Sequence, residues 1–599
     1  MNTRNAYLDK QTQSTPPDGQ PNAPGAATAL KDLADQQRMV HALYAALQAR
    51  SDRARLVETH ISFVLLTGEY AYKIKKAVRL GFLDFTTIAL RRRFCEEELR
   101  LNRRLASALY LDVVPISGSA SAPVIDGAGP VLEYAVRMRE FPQEALFCNV
   151  LARGELTAGH IDALAVRVAD FHAATSAAPL DSCHGEPDRV LELACANFAE
   201  IESLVNNASD GAVVQALKAW TLGEYQSIRE ALDRRRRNGA IRECHGDLHF
   251  GNIALVDGEI TIFDCIEFNE SMRWIDTMSE VAFTVMDLEY RKRGDLAYRF
   301  LNAYCERSGD YVGVFVLRFY LVYRAMVRAK VACLRASQLL DSDARAALRE
   351  EFAGYLRLAL SYAEDKYPAV VLMHGPSGTG KTTLSQLLLE RAHALRVRTD
   401  VERKRLAGLA ADARSRSTPG GGLYAQDATR RTYEHVLACA DAAVQGGFPA
   451  IVDGAFLQTG QRDAFRELAA RRGVPFVIVD CIASEATLKT RVAARARADT
   501  DASEADLAVL AYQLRTAQPL SCDELRFTVT CDAEAPPASS PDAVRGIADR
   551  IRSPGVPPGR PGWAPPGDTA VGSRGDAGAQ LPSRVATQPP LRQQCISRR

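Results

Sequence analysis

The stretch Gly375-Pro376-Ser377-Gly378-Thr379-Gly380-Lys381-Thr382 matches G-x-x-x-x-G-K-[ST], the pattern of a phosphate-binding loop. It follows the apolar run 369–373 and opens a helical pattern at Lys381. Its glycines allow backbone N–H groups to converge on phosphate oxygens, and the helix N-terminus adds a favourable dipole. We expect these eight residues to bind a nucleotide, with Lys381 at the β- and γ-phosphates and Thr382 as a ligand of Mg²⁺.

Strand and helix patterns alternate on both sides of this loop. Such alternation predicts an α/β P-loop NTPase domain with a parallel sheet over residues 368–552. The predicted strands are 369–373, 395–398, 449–453 and 475–480, and the predicted helices are 381–393, 425–445, 460–471 and 485–496.

Acidic and basic residues follow the predicted strands, where open α/β sheets place catalytic groups. Asp400 comes just after strand 395–398, where it could orient or deprotonate an acceptor hydroxyl, although helix N-capping is the alternative. Arg403, one turn later, could bind an anionic part of that acceptor. Asp453 ends a second strand and is a candidate for indirect support of Mg²⁺. Arg495 recurs with other arginines on the last predicted helix, as a phosphate lid or as a solvated basic face.

A second motif lies upstream, where residues 244–253 read CHGDLHFGNI. Asp247 and Asn252 have the D-x-x-x-x-N spacing of a kinase catalytic loop, and Asp264 follows after a predicted hairpin. This spacing gives one carboxylate, Asp247, to the acceptor hydroxyl and two oxygen ligands, Asn252 and Asp264, to Mg²⁺. The alternative is a hairpin with polar residues placed by chance. We expect His245 to hold the loop, and leave the role of His249 open.

Phosphotransfer of this kind also needs a lysine on an upstream strand and a glutamate on the next helix. Lys73, on the predicted strand 70–75, is our candidate for the α- and β-phosphates, with Lys75 in reserve because it points to the same face. Glu98, on a helix predicted over 91–109, is the expected partner of Lys73.

Composition sets the frame for these motifs. The 599 residues are 47% apolar and carry a net charge of +1, which excludes a chain dominated by nucleic-acid coating or polybasic membrane binding. The 13 scattered cysteines and the polar N-terminus indicate reduced thiols and a cytoplasmic protein without membrane association. The ends, 1–28 and 553–599, lack apolar periodicity and are predicted to be disordered. We therefore expect two catalytic domains, 29–365 and 368–552.

The C-terminal domain resembles P-loop kinases of AAA-type ATP-binding proteins, the group with polynucleotide kinase, gluconate kinase, chloramphenicol phosphotransferase and zeta toxin, over about residues 368–550. The resemblance implies that Asp400 acts on the acceptor hydroxyl, that Arg403 binds substrate phosphate and that Arg495 belongs to the lid. The phosphate loop is the specific part of this match.

The upstream domain resembles the aminoglycoside phosphotransferase family, relatives of protein kinases, over about residues 37–360. The resemblance implies an α+β protein-kinase-like fold, Asp247 as the base, Asn252 and Asp264 as metal ligands, and adenine beside a strand at 131–138. Two departures stand out. The turn at 58–62 has no glycine, and Asp264 is followed by Cys-Ile-Glu instead of Phe-Gly.

These observations predict a bifunctional, ATP- and Mg²⁺-dependent phosphotransferase that acts on the hydroxyl of a small molecule. Two alternatives stay open. The P-loop domain could be a polynucleotide 5′-hydroxyl kinase, although no broad basic patch with interleaved aromatics supports nucleic acid as the substrate. One domain could instead be a nucleotide-sensing regulator of the other, which the missing glycines at 58–62 favour.

Overall fold

Residues 32–552 are described by a computed structural model, apart from short gaps at 81–82, 206, 339–340, 365, 416, 418–420, 499–502 and 535–540. The predicted disordered ends, 1–28 and 553–599, lie outside the described residues. Secondary structure changes character between helix 342–364 and strand 370–374, next to the predicted boundary at 365–368.

An antiparallel six-stranded sheet forms the first layer, in the order β1-β2-β3-β8-β6-β7. Its strands, with the small ladder β4–β5, are β1 (Arg55–Glu58), β2 (Ser62–Leu66), β3 (Tyr70–Lys75), β4 (Arg79–Leu80), β5 (Leu83–Asp84), β6 (Tyr110–Ser119), β7 (Ala122–Ile125) and β8 (Val131–Arg139). Helices α1 (Leu33–Gln48) and α2 (Ile88–Ala106) pack on this sheet. The helix predicted to Leu109 ends at Ala106, because the Leu109 carbonyl accepts from Arg139 N–H in the sheet.

The second layer is mainly helical and packs into one apolar core. Its helices are α3 (Phe147–Ala152), α4 (Ala158–Ala174), α5 (Pro187–Leu204), α6 (Ala208–Arg237), α7 (Glu270–Arg273), α8 (Thr277–Tyr290), α9 (Gly294–Ser308), α10 (Val314–Gln338) and α11 (Ser342–Glu364). Two short antiparallel ladders lie among them, β9 (Ile241–Glu243) with β12 (Trp274–Asp276), and β10 (Ile253–Val256) with β11 (Glu259–Ile262). A sheet followed by these helices is the predicted α+β kinase-like fold.

Helix α10 contains the most apolar stretch of the chain, and it is buried inside this layer. Its arginines Arg318 and Arg324 are 4% exposed and donate to backbone carbonyls, including that of Gly246. No helix among the described residues is both long and apolar enough to cross a bilayer. The cytoplasmic location stays a prediction.

The C-terminal part is built on a five-stranded parallel sheet in the order β14-β15-β13-β16-β17. Its strands are β13 (Val370–His374), β14 (Leu395–Arg398), β15 (Ala450–Asp453), β16 (Phe476–Ile482) and β17 (Thr528–Asp532). Its helices are α12 (Lys381–Ala392), α13 (Thr399–Leu406), α14 (Gln426–Gln445), α15 (Thr459–Arg472), α16 (Glu485–Ala498), α17 (Leu507–Thr516), α18 (Cys522–Leu525) and α19 (Pro541–Arg552). The predicted parallel sheet is confirmed. Strand β17 was missed because this half-exposed edge strand has only a weak apolar pattern.

Helix α9 of the kinase-like part packs on β14 and α12 of the P-loop part. Asn302 Nδ2 donates to the carbonyl of Ala394 at 2.8 Å, and Asn302 Oδ1 accepts from Arg396 N–H at 2.6 Å. The Glu306 carboxylate lies 3.3 Å from the guanidinium of Arg396 and 2.9 Å from that of Arg398. Since Arg398 is followed by Thr399 and Asp400, the kinase-like part helps to position the acceptor end of β14.

Replacing Glu306 by alanine leaves two largely buried guanidinium groups without this carboxylate. We expect Glu306→Ala to lower the free energy of unfolding by about 2 kcal/mol, because removing a carboxylate from a largely buried ion pair is costly. The matched control is Asp170→Ala, whose partner Arg307 is, like Asp170, about half exposed. We expect the control to cost less than about 1 kcal/mol. Urea unfolding followed by circular dichroism measures both, and equal effects would contradict a structural role for Glu306.

Candidate active sites

The loop between β9 and β10 carries the first set of predicted site residues. Asn252 Nδ2 donates to Asp247 Oδ2 at 3.1 Å and to the Asp247 carbonyl at 3.0 Å. Asp264 follows β11 in a left-handed backbone conformation, with φ of +64°. The loop thus places Asp247 and Asn252 in contact, and Lys73 reaches Asp264 from the sheet.

Three polar side chains of α8 hold the backbone of this loop. Glu280 accepts from Gly246 N–H at 2.6 Å, Thr284 donates to the Leu248 carbonyl at 2.9 Å, and Asp287 accepts from Phe250 N–H at 2.8 Å. All three residues are at least 98% buried. Sequence reasoning missed them, although polar residues at positions i, i+4 and i+7 of an otherwise apolar helix were a signal that they face one common partner.

Two histidines flank Asp247 and have different tasks. His245 Nε2 lies 2.8 Å from the Phe263 carbonyl and its Nδ1 accepts from Asp247 N–H, so this side chain ties the loop to β11. His249 Nδ1 accepts from Gly251 N–H, which leaves Nε2 to carry the proton in the neutral ring. That nitrogen lies 3.4 Å from Asp247 Oδ2. Burial raises the pKa of Asp247, but His249, with a smaller contribution from Arg328, lowers it well below its usual range.

Lys73 and Lys75 share one carboxylate, Glu98. Lys73 Nζ donates to Glu98 Oε1 at 2.8 Å and to Asp264 Oδ1, and Lys75 Nζ donates to Glu98 Oε2 at 2.6 Å and to Glu267. Burial opposes ionisation, but the two ammonium groups lower the pKa of Glu98 to about 2. Lys75 is fully buried, so it cannot serve as the reserve for Lys73. It instead supports Glu98 from behind, with Glu267 as its second partner.

The turn between β1 and β2 replaces a glycine-rich loop with internal hydrogen bonds. Thr59 Oγ1 accepts from Ser62 N–H at 2.9 Å, and Thr59 N–H donates to the Ser62 carbonyl at 2.9 Å. Lys76 Nζ anchors the turn to Glu58 at 2.6 Å. These contacts fix the turn without glycine and use backbone N–H groups that a glycine-rich loop would offer to phosphates.

The phosphate loop joins β13 to α12, as its sequence predicts. Gly375, Gly378 and Gly380 have φ of +127°, +91° and +80°. A Cβ at Gly375 would lie 2.5 Å from the Cys481 carbonyl oxygen, so no larger residue fits there. Lys381 Nζ donates to the carbonyls of Gly375 and Pro376, both at 2.8 Å. Burial lowers the pKa of Lys381.

Gln513, on α17, contacts the phosphate loop and was not anticipated. Its Oε1 accepts from Ser377 N–H at 2.8 Å. A carbonyl oxygen thus occupies a donor that phosphate loops present to a nucleotide. Nothing in the sequence pointed to Gln513, which lies 136 positions from Ser377.

Asp400, which is predicted to contact the acceptor, lies at the carboxyl end of the sheet, just after β14. Asp400 is in the first turn of α13, and its carboxylate makes no hydrogen bond or ion pair with the residues described, so it does not cap the helix. Arg403 is 92% buried, stacks on Tyr424 and donates to Thr429 Oγ1 at 3.1 Å. Arg495 donates to the Ala505 carbonyl at 2.9 Å, and Arg491, one turn before it, lies 3.5 Å from the Gly378 carbonyl of the loop.

Both sites offer the oxygen ligands that Mg²⁺ requires. In the kinase-like part these are the Asn252 side-chain carbonyl and the Asp264 carboxylate, which is 45% exposed. In the P-loop part they are the Thr382 hydroxyl and, behind it, Asp453, which accepts from Ser385 Oγ at 3.2 Å. The donor chemistry at both positions fits this cation.

Comparisons with known proteins match the two parts of the chain to two families of domains. The model of the phosphotransferase enzyme family matches residues 92–315, and a model described as an AAA domain matches residues 370–520. An uncharacterized protein of Mycobacterium tuberculosis is 33% identical over 455 residues, which cover 76% of this chain and 89% of that protein.

Solved structures match the two parts separately. A choline kinase of Cryptosporidium parvum is 10% identical and covers 54% of this chain and 96% of its own, with a TM-score of 0.34. A gluconokinase of Sinorhizobium meliloti is 19% identical and covers 31% of this chain and 95% of its own, with a TM-score of 0.24.

The Gln513 contact generates a test of nucleotide affinity. We expect Gln513→Ala to tighten binding of a fluorescent ADP about fivefold, because the amide of Ser377 no longer has to exchange a protein hydrogen bond for a phosphate, a difference of about 1 kcal/mol. The control is Gln458→Ala, which removes a bond to the carbonyl of Thr516 at the end of the same helix. Weaker binding in Gln513→Ala than in this control would show that Gln513 supports the nucleotide instead of competing with it.

Proposed function

Because the chain belongs to one family with the mycobacterial protein, and joins a phosphotransferase-family domain to a P-loop kinase-like domain, we propose that it is a bifunctional phosphotransferase. Each domain would move the γ-phosphoryl group of ATP to a hydroxyl of a small molecule. The observation that carries the proposal is the separate convergence of a lysine, metal ligands and an acceptor aspartate in each domain.

In the kinase-like domain, Lys73 would contact the α- and β-phosphates while Glu98 holds its ammonium group in place. Asn252 and Asp264 would hold Mg²⁺, which neutralises phosphate charge when bound. Asp247 stays ionised at neutral pH, so it can accept a hydrogen bond from the acceptor hydroxyl and take the proton as the phosphoryl group leaves ATP. His249 and Asn252 fix the orientation of that carboxylate.

In the P-loop domain, backbone N–H groups within residues 377–382 and the ammonium group of Lys381 would bind the phosphates. The Asp400 carboxylate, which has no hydrogen-bond partner among the described residues, is available to a hydroxyl. Arg403 would bind the far side of the acceptor, and Arg495 or Arg491 would close over the phosphates.

One observation favours a sensor role for the kinase-like domain. Its β1–β2 turn already uses the N–H groups of Thr59 and Ser62, so fewer backbone donors remain for the phosphates of a nucleotide. A domain that binds ATP without fast turnover would then control the P-loop domain. This is the second candidate function.

The two candidates differ in what Asp247 does. We propose a transfer assay with labelled ATP over small metabolites, antibiotics and 5′-hydroxyl oligonucleotides, with wild type, Asp247→Asn and Asp400→Asn. We expect Asp247→Asn to lower the rate of transfer by the kinase-like domain, and Asp400→Asn that by the P-loop domain, by about 10²-fold or more. Each variant lacks the group that orients and deprotonates the acceptor hydroxyl. Asp463→Asn, a partly exposed carboxylate paired with Arg466, is the control and should match wild type.

Each other result selects a different function. If Asp247→Asn keeps every product while Asp400→Asn loses all transfer, the kinase-like domain is the sensor. Label in the oligonucleotide that disappears with Asp400→Asn would establish a polynucleotide kinase. Nucleotide titration that finds one site, unchanged by Lys381→Ala, would contradict the P-loop assignment.

A further inference from the structure

Helix α10 brings two arginines to the catalytic loop of the kinase-like domain, one turn apart. Arg324 is buried and supports the backbone around the loop, since Nη1 donates to the Gly246 carbonyl at 3.2 Å and Nε donates to the Ser279 carbonyl at 3.1 Å. Arg328 lies one turn further along the helix, beside His249. On one face of the helix, Arg324 therefore supports the backbone of the loop, and Arg328 lies beside the His249 side chain.

The contacts of Arg328 are long for a largely buried guanidinium. Arg328 lies 3.4 Å from the Tyr355 hydroxyl, 3.4 Å from His249 Nε2 and 3.7 Å from Glu351 Oε1, and its side chain is 20% exposed. His249 Nε2 carries a proton in the neutral ring, so it cannot accept from Arg328. By contrast, Arg235 makes four contacts of 2.7 Å with two carboxylates. Arg328 thus retains hydrogen-bonding capacity for a ligand.

This capacity lies next to the aspartate that would receive the acceptor hydroxyl. His249 Nε2 is 3.4 Å from both Arg328 Nη1 and Asp247 Oδ2, so the two charged groups are at most about 7 Å apart. A short acceptor with its hydroxyl on Asp247 would therefore have its other end within reach of Arg328. Tyr355, which stacks on Tyr290 at 3.9 Å, forms the apolar wall beside that guanidinium.

We propose that the acceptor of the kinase-like domain is a short alcohol with an anionic group, a carboxylate or a phosphate, and that Arg328 binds that group. The inference rests on the proposed function of this domain. Coulomb attraction at a partly buried site favours such an acceptor over a neutral one, and repulsion disfavours a cationic amine. Glu351, the nearest carboxylate to Arg328, is at 3.7 Å and would be replaced as its partner.

The reaction is a single group transfer. The acceptor oxygen forms a bond to the γ-phosphorus as the bond from that phosphorus to the β,γ-bridging oxygen breaks. The hydroxyl proton passes to Asp247, and ADP and the phosphorylated acceptor are the products. Arg328 takes no part in bond making; it sets which alcohols bind.

The test compares four alcohols of similar size with labelled ATP and the full chain: glycerol, glycerate, glycerol 3-phosphate and ethanolamine. We expect glycerate or glycerol 3-phosphate to exceed the other two at least tenfold in kcat/KM, and the comparison of these two separates carboxylate from phosphate. Arg328→Gln should remove this preference, a loss of about 10- to 100-fold through KM for the acceptor, with KM for ATP unchanged. Arg328→Lys should restore part of it.

The control variant is Lys330→Gln, on the same helix but paired with Glu200 of α5 at 3.6 Å, and it should behave as wild type. Titration of the two anions into the protein with ADP and Mg²⁺ gives a readout that needs no turnover. If Arg328→Gln abolishes anion binding, the inference is supported even when no transfer is detected. The absence of transfer would then count only against the proposed function. Equal use of neutral or cationic alcohols, an Arg328 effect on ATP alone, or no binding of either anion at millimolar concentration would overturn it.

Discussion

Buried polar groups must find hydrogen-bond partners, and in this protein that requirement fixes both candidate active sites through two consecutive helices. Helix α8 carries Glu280, Thr284 and Asp287, and their side chains form hydrogen bonds with the backbone of the loop that holds Asp247. Helix α9 carries Asn302 and Glu306, which form a hydrogen bond and an ion pair with residues of β14, the strand that leads to Asp400. A three-residue connection joins the two helices. The loop of one site and the acceptor strand of the other therefore share one frame, although they belong to different folds.

The two lysines predicted to bind phosphates are held in opposite electrostatic states. Lys73 is paired with Glu98 and Asp264, and these carboxylates raise its pKa in spite of burial. Lys381 is held by neutral carbonyls, and burial lowers its pKa. A nucleotide at the first site would have to compete with Asp264 for Lys73, whereas at the second site it would replace neutral carbonyls as the partners of Lys381. The two lysines thus differ in the partner that a phosphate group would displace.

The sequence predicted those residues whose role depends on local spacing. The glycines of residues 375–380 and the interval from Asp247 to Asn252 are local patterns, and the structure places them as expected. The pairing of Lys73 with Glu98 was also foreseeable, because a strand and the next helix are neighbours in this fold. Glu267 was not, since its partner Lys75 is 192 positions away and either residue alone reads as an ordinary charge.

Long-range contacts of the same kind explain why Gln513 and Arg328 could not be predicted from the sequence. Gln513 reaches Ser377 and Arg328 reaches the catalytic loop only after whole domains have assembled. Neither residue belongs to a motif, and a glutamine or arginine on an amphipathic helix is usually solvated. The fold class follows from pattern and motif, whereas these parts of the sites depend on tertiary packing.

The side chain of Asn302 has a consequence for the separate existence of the P-loop domain. Strand β14 is an edge strand of its sheet. The N–H of Arg396 and the carbonyl of Ala394 therefore face away from the other four strands. The amide of Asn302 bonds to both, as one residue of a neighbouring strand would. Exposed strand edges are templates for unwanted pairing between chains. Through Asn302, the kinase-like part thus covers a strand edge that the P-loop part would present to solvent if it stood alone.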